Sequence, residues 1–206
     1  MRKSPKNFVS SIDLGSADAL TKSVQFLFFA VICNEILRLP LDVVSSSFRM
    51  DPTLRITWLI IDILDPVLFG SAVWLFGKAV NGKGQYRNVL VAMLYSSAFM
   101  FLDTILAYIF LPHGGFDKQT LLDVLSGASE KHVGEFNTVD AISGFVSLIV
   151  SCYVYIKLVP LVAFVHSIGA IRASLVLACA YAADGLYVWF VGRPFLVDVV
   201  KGSIPK

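Results

Sequence analysis

A chain of 206 residues in which 56% are hydrophobic and only 16% charged cannot solvate the surface of a soluble domain, which carries about 25% charge. The mean hydropathy of +0.74 makes it an integral membrane protein. A net charge of +2 with no basic cluster gives no reason to expect a nucleic-acid partner.

Residues 1–19 form a polar segment. Its basic residues Arg2, Lys3 and Lys6 have no apolar core beside them, and no small-x-small cleavage site follows the first apolar run. That run is therefore expected to stay as an anchor. The membrane domain spans 20–192 and reads as an all-α bundle of five transmembrane helices, each near the roughly 20 apolar residues that cross a hydrocarbon core.

Span one runs about Leu20 to Leu37, with Asn34 and Glu35 near its far end and Pro40 as a stop. Asp51-Pro52 suits a turn before span two, Arg55 to Phe76, whose Trp58 and Trp74 sit near its ends as interfacial aromatics do. Pro66 should kink this span by removing a backbone donor. A glycine- and base-rich loop, Gly77 to Asn88, leads to span three, Val89 to Leu111, which ends at Pro112-His113-Gly114-Gly115. The polar stretch Phe116 to Val139 includes Gln119 to Leu125, suited to an amphipathic turn on the membrane surface. Spans four (Ala141 to Val165) and five (Ile168 to Val191) form a hairpin around His166 and Ser167, and residues 193–206 are a tail.

Five spans place the termini on opposite sides. Lys and Arg then divide evenly across the membrane, and the bases before span one lean the N-terminus toward the cytoplasm.

Polar residues in the spans carry the candidate chemistry. At about 1.5 Å per residue, Glu35, Asp62 and Asp103 lie about 20–22 Å from the N-terminal side, Asp184 about 24 Å and Asp65 about 16 Å. Lys157, the one basic residue at core depth, lies about 13 Å in and could reach Asp65. Intramembrane carboxylates commonly mark ion or proton paths. Solvation from the nearer interface, or hydrogen bonds to freed backbone and neighbouring helices, is the plainer account of them.

Ala170, Ser174, Ala178 and Ala182 place a small residue every four positions along span five, the pattern of close helix approach, and Asp184 lies off that stripe. Span five is accordingly expected to be central. Ser143, Ser147 and Ser151 form a similar row in span four.

Catalysis finds no support. His113, His132 and His166 lie at loops or span ends, and Cys33, Cys152 and Cys179 have neither zinc nor disulfide spacing. Gly82-Lys83-Gly84 lacks the phosphate-loop pattern and reads as a flexible turn. No cofactor is implied, and no metal.

The stretch Asn81 to Ala98, NGKGQYRNVLVAMLYSSA, joins a basic glycine loop (Gly82, Lys83, Gly84), Tyr86 and Arg87 to a span containing Tyr95-Ser96-Ser97-Ala98. It resembles the loop between spans two and three of the Yip family, five-span proteins named for interaction with Ypt/Rab GTPases. Asp13-Leu14-Gly15 is shorter than the Asp-Leu-x-Gly-Pro motif of eukaryotic members, and their long Pro/Gly arm is missing. The chain is more similar to short prokaryotic members.

The resemblance implies a five-helix membrane fold and residence in a bacterial inner membrane rather than a eukaryotic endomembrane. The expected function is non-enzymatic, through contacts with other membrane proteins or with itself in the bilayer, as a scaffold or accessory subunit in trafficking or assembly. The alternative is an ion- or proton-linked transporter using the carboxylate layer.

Overall fold

The computed structural model describes residues 16, 18–44, 52–99, 102, 138–192, 194–195 and 197–198. Asp103, His113, His132 and the surface stretch Gln119 to Leu125 lie outside the described residues. Within them there are five helices: α1 (Ala19–Val44), α2 (Pro52–Ala79), α3 (Tyr86–Ser96, continued by a 3-10 turn Ser97–Phe99), α4 (Thr138–His166) and α5 (Ala170–Tyr187). A π-helical segment, Val188–Gly192, extends α5. No strand occurs among the described residues.

Four helices contain stretches long and apolar enough to cross a membrane: Ala19–Ile36, Leu59–Ala79, Leu148–His166 and Ala170–Gly192. Their outward faces carry Phe29, Leu68, Leu75, Phe164 and Ile171, the last 89% exposed. Apolar side chains that point away from the protein in such numbers belong in lipid. The chain is a multi-pass membrane protein, all-α and helix-bundled.

Several helix ends differ from the sequence reading. Pro40 does not stop α1, which continues to Val44. A proline inside a helix removes one N–H and crowds the carbonyl four residues back, which weakens that turn without being an obligatory stop. The π segment at the end of α5 has no signature that apolar periodicity could reveal. Helix α2 also starts before the expected Arg55: Pro52, read as part of a turn, occupies its first position, where its missing donor costs nothing. Pro66 is inside α2, and so, unremarked by the apolar pattern, is Pro160 in α4.

The described residues fall into two compact units. The first draws on Met1–Ala30, Ile63–Ala98 and Tyr153–Asp184, and the second on Val31–Asp62, Phe99–Cys152 and Gly185–Lys206. The first unit holds most of the describable core. There α2 turns Phe69, Gly70, Val73 and Gly77 inward, α4 turns Leu158, Leu161, Val162 and His166, and α5 turns Ala173, Val176, Leu177 and Ala180. Each set recurs at three and four residues, the period of one helix face.

Helix α3 is different. Val91, Ala92, Met93 and Leu94 are consecutive and all buried, so protein covers every side of it. The central element of this unit is therefore α3 and not the last span. Gly70 lets α2 come close to it: a methyl group there would stand 3.2 Å from Met93 Cβ. Serines inside the apolar helices return their hydroxyls to the preceding turn, Ser71 to Val67, Ser96 to Met93 and Ser97 to Leu94, at 2.6–2.8 Å.

Candidate functional site

The α2–α3 loop and the α4–α5 turn are built alike and meet. Helix α2 ends with Gly82 N–H donating to the Gly77 carbonyl at 2.8 Å and Asn81 N–H to Lys78 at 3.0 Å. Helix α4 ends with Ile168 N–H donating to Ala163 at 3.0 Å and Ser167 N–H to Phe164 at 3.2 Å. Both are Schellman caps, which need one left-handed residue. Neither uses glycine there; Asn81 (φ 64°) and Ser167 (φ 52°) take the strained position.

The two caps then lock. Lys83 N–H donates to the His166 carbonyl at 2.9 Å. The His166 imidazole is fully buried among three glycines. A methyl group on Gly77 would overlap the ring outright; on Gly82 or Gly84 it would lie 2.7 Å from Nδ1. Only residues without a side chain can surround the imidazole this closely. The Val73 carbonyl faces the ring, yet neither nitrogen reaches hydrogen-bonding geometry with a partner. A buried donor left in this state costs about 1–3 kcal/mol, which the fold holds against the packing it gains.

The loop is thus not the flexible turn that its composition suggests, because Gly82 and Gly84 are buried against His166. Its other residues are tied as well. Tyr86 stacks edge-on against Trp74 at 5.5 Å, and its hydroxyl lies 3.1 Å from Ser71 Oγ. Arg87 donates to the Ser16 carbonyl at 2.6 Å, joining the start of α1 to the same end. The residues that carry the family resemblance, Gly82, Lys83, Gly84, Tyr86 and Arg87, all take part in this closure.

The carboxylates divide differently from the expected layer. Asp65 and Asp184 both belong to the first unit, Asp65 exposed and Asp184 half-buried. Glu35 and Asp62 are half-buried and belong to the second unit. Lys157 is exposed, with its ammonium 5.4 Å from the centre of the Tyr153 ring.

The small-residue stripe also faces away from expectation. Ala170, Ala178 and Ala182 are exposed, and Ser174 is half-buried with its carbonyl accepting from the Tyr155 hydroxyl at 2.6 Å. The buried face of α5 is set by Val176 and Leu177, whose bulk fills the core better than the alanine row does. Tight approach inside the chain occurs at Gly70 and Gly77 of α2 instead. Their seven-residue spacing on the Val73 face was the available signal. For His166 no signal existed, since nothing in one sequence pairs it with glycines over eighty residues away. Of the serine row in α4, Ser151 is exposed.

Among the described residues no group of three or more His, Cys, Asp or Glu could hold a metal ion. No family model, curated protein or solved structure matches this chain.

Proposed function

We propose that this is a non-enzymatic, Yip-like membrane protein that works by docking helices of other membrane proteins, or of a second copy, as a scaffold or accessory subunit in trafficking or assembly. The bacterial inner membrane is its proposed residence. One observation carries the reading. Ala170, Ala178 and Ala182 remain exposed among the described residues, on the side of α5 away from its buried face. A row of small side chains on the lipid side of a span lets another helix approach within backbone contact, where dispersion and weak hydrogen bonds drive association in lipid.

Ala178→Leu tests it. The substitution should leave the isolated chain's melting temperature in detergent unchanged, while removing helix cross-links to the partner or second copy in native membranes. Undiminished cross-linking would overturn the reading.

A second reading, ion- or proton-linked transport, rests on Asp65 and Asp184, which lie in two of the apolar spans where carboxylates commonly mark such paths. Asp184→Asn separates the two. Loss of proton flux in proteoliposomes with folding and cross-linking intact supports transport, and unchanged behaviour supports docking.

A further inference from the structure

The end of the first unit closed by His166 carries an excess of cations. Lys78 ends α2, Lys83 lies in the loop, Lys22 is in the first turns of α1 and Arg172 in the first turn of α5; all four are exposed. Asp18 is the one acid in the described segments that make up this end, residues 16–22, 77–87 and 166–172. Three ties hold the segments together: Lys83 N–H on the His166 carbonyl, the glycine cage around the ring, and Arg87 on Ser16.

Two of the cations also oppose ordinary helix electrostatics. The N-terminus of a helix carries partial positive charge, which disfavours Lys or Arg in its first turn. Helix α5 nevertheless places Arg172 there with no acidic residue in that turn, and α1 places Lys22 just inside its start. Each adds to the positive potential rather than relieving it.

The depth of this surface is marked by the Trp74–Tyr86 pair. Amphipathic aromatics settle where hydrocarbon meets headgroups. Lys78 lies one turn beyond Trp74, about 6 Å further out, at the level of lipid phosphates. Lys83 is held beyond the end of α4 by its own backbone, so its side chain needs no intramolecular partner to stay in place.

We propose that Lys22, Lys78, Lys83 and Arg172 form a binding surface for the headgroups of anionic phospholipids, held in shape by the His166 cage. The occupant is a phosphodiester with net negative charge, seated at a rim whose charge it complements. The inference is independent of the docking function proposed above.

Native mass spectrometry of the full chain tests it, after reconstitution in phosphatidylcholine vesicles with or without phosphatidylglycerol. The protein should retain phosphatidylglycerol in preference to phosphatidylcholine. Each cation neutralised should weaken that preference roughly five-fold, the worth of one Lys or Arg near an anionic surface. Lys83→Gln alone should give this effect without disturbing the fold, because only the backbone of Lys83 is used in the closure. The combined Lys78→Gln, Lys83→Gln and Arg172→Gln variant should abolish the preference, and Lys157→Gln, away from the rim, should preserve it.

Raising the salt from about 0.1 M to 1 M, which shortens screening from about 10 Å to 3 Å, should release the lipid. Equal retention of the two lipids, or a preference untouched by the variants, overturns the proposal. So does inorganic phosphate in detergent displacing phosphatidylglycerol at equal concentration, since that identifies a soluble anion. Displacement by a co-purifying acidic protein would overturn it too.

Discussion

Gly77 leaves no space for even a methyl group, because the His166 ring occupies it. Gly77→Ala must therefore push the imidazole out or spread α2 from the turn after α4. Overpacking of this kind costs about 1–3 kcal/mol. The test is a double-mutant cycle by thermal or denaturant unfolding in detergent. Gly77→Ala with His166→Ala should be less damaging than the two single effects added, with a coupling of about 0.5–3 kcal/mol. Simple additivity would mean that ring and glycine do not share the space. Substitutions at the caps should act in the opposite direction. Ser167 holds φ at 52°, which costs an L-residue about 1–2 kcal/mol, and glycine avoids that while losing more chain entropy on folding. Ser167→Gly should raise stability by up to about 1 kcal/mol, and Asn81→Gly by less, since Asn tolerates this region better. A lowered melting temperature for Ser167→Gly would contradict the cap assignment.

At the level of a helix, α5 makes a direct comparison possible. Ala180 is fully buried, whereas Ala178, two residues away and turned about 200° around the axis, is exposed. Ala180→Leu should cost about 1–3 kcal/mol in the isolated chain, and Ala178→Leu should stay within about 0.5 kcal/mol of wild type. Equal melting temperatures for the two variants would mean that α5 packs by another face. A row of small residues by itself is blind to this choice. It states that another helix can come near, but the burial of Val176 and Leu177 decides which face the chain keeps for itself. Helix α3 posed the reverse difficulty. Its run Val91 to Leu94 has no polar side to give away its orientation, and only the three-dimensional arrangement reveals that protein surrounds it.

For the molecule as a whole, the topology stands on the position of two loops. With Cys33, Cys152 and Cys179 replaced, single cysteines at Asn81 and at Ser126 should label from opposite faces of sealed vesicles. Asn81 is exposed, and Ser126 lies outside the described residues. Labelling of both from one face would remove α3 as a crossing helix. How much could be read beforehand follows from what a linear pattern encodes. Apolar length located α1, α2, α4 and α5 to within a turn or two at most ends, because the bilayer sets that length. The turn at His166 and Ser167 was legible too, as a gap between two apolar runs too short for anything but a hairpin. Depth arithmetic was weaker. It placed Glu35, Asp62 and Asp184 in one layer, yet Asp184 belongs to the first unit and Glu35 and Asp62 to the second. Depth alone does not say which helices pack together. The His166 cage was beyond reach altogether, being a contact between loops that only packing brings together.

That cage also imposes an order on manufacture. The α2–α3 turn leaves the ribosome long before residue 166 does, so during synthesis the three glycines lack the ring they pack against. Only when the final hairpin has been made can the imidazole pack against them and Lys83 find its carbonyl. A nascent chain halted before α4 should therefore expose the Lys83 peptide bond to trypsin, and the finished chain should protect it. Protection at Lys83 would therefore report that the last pair of helices has arrived.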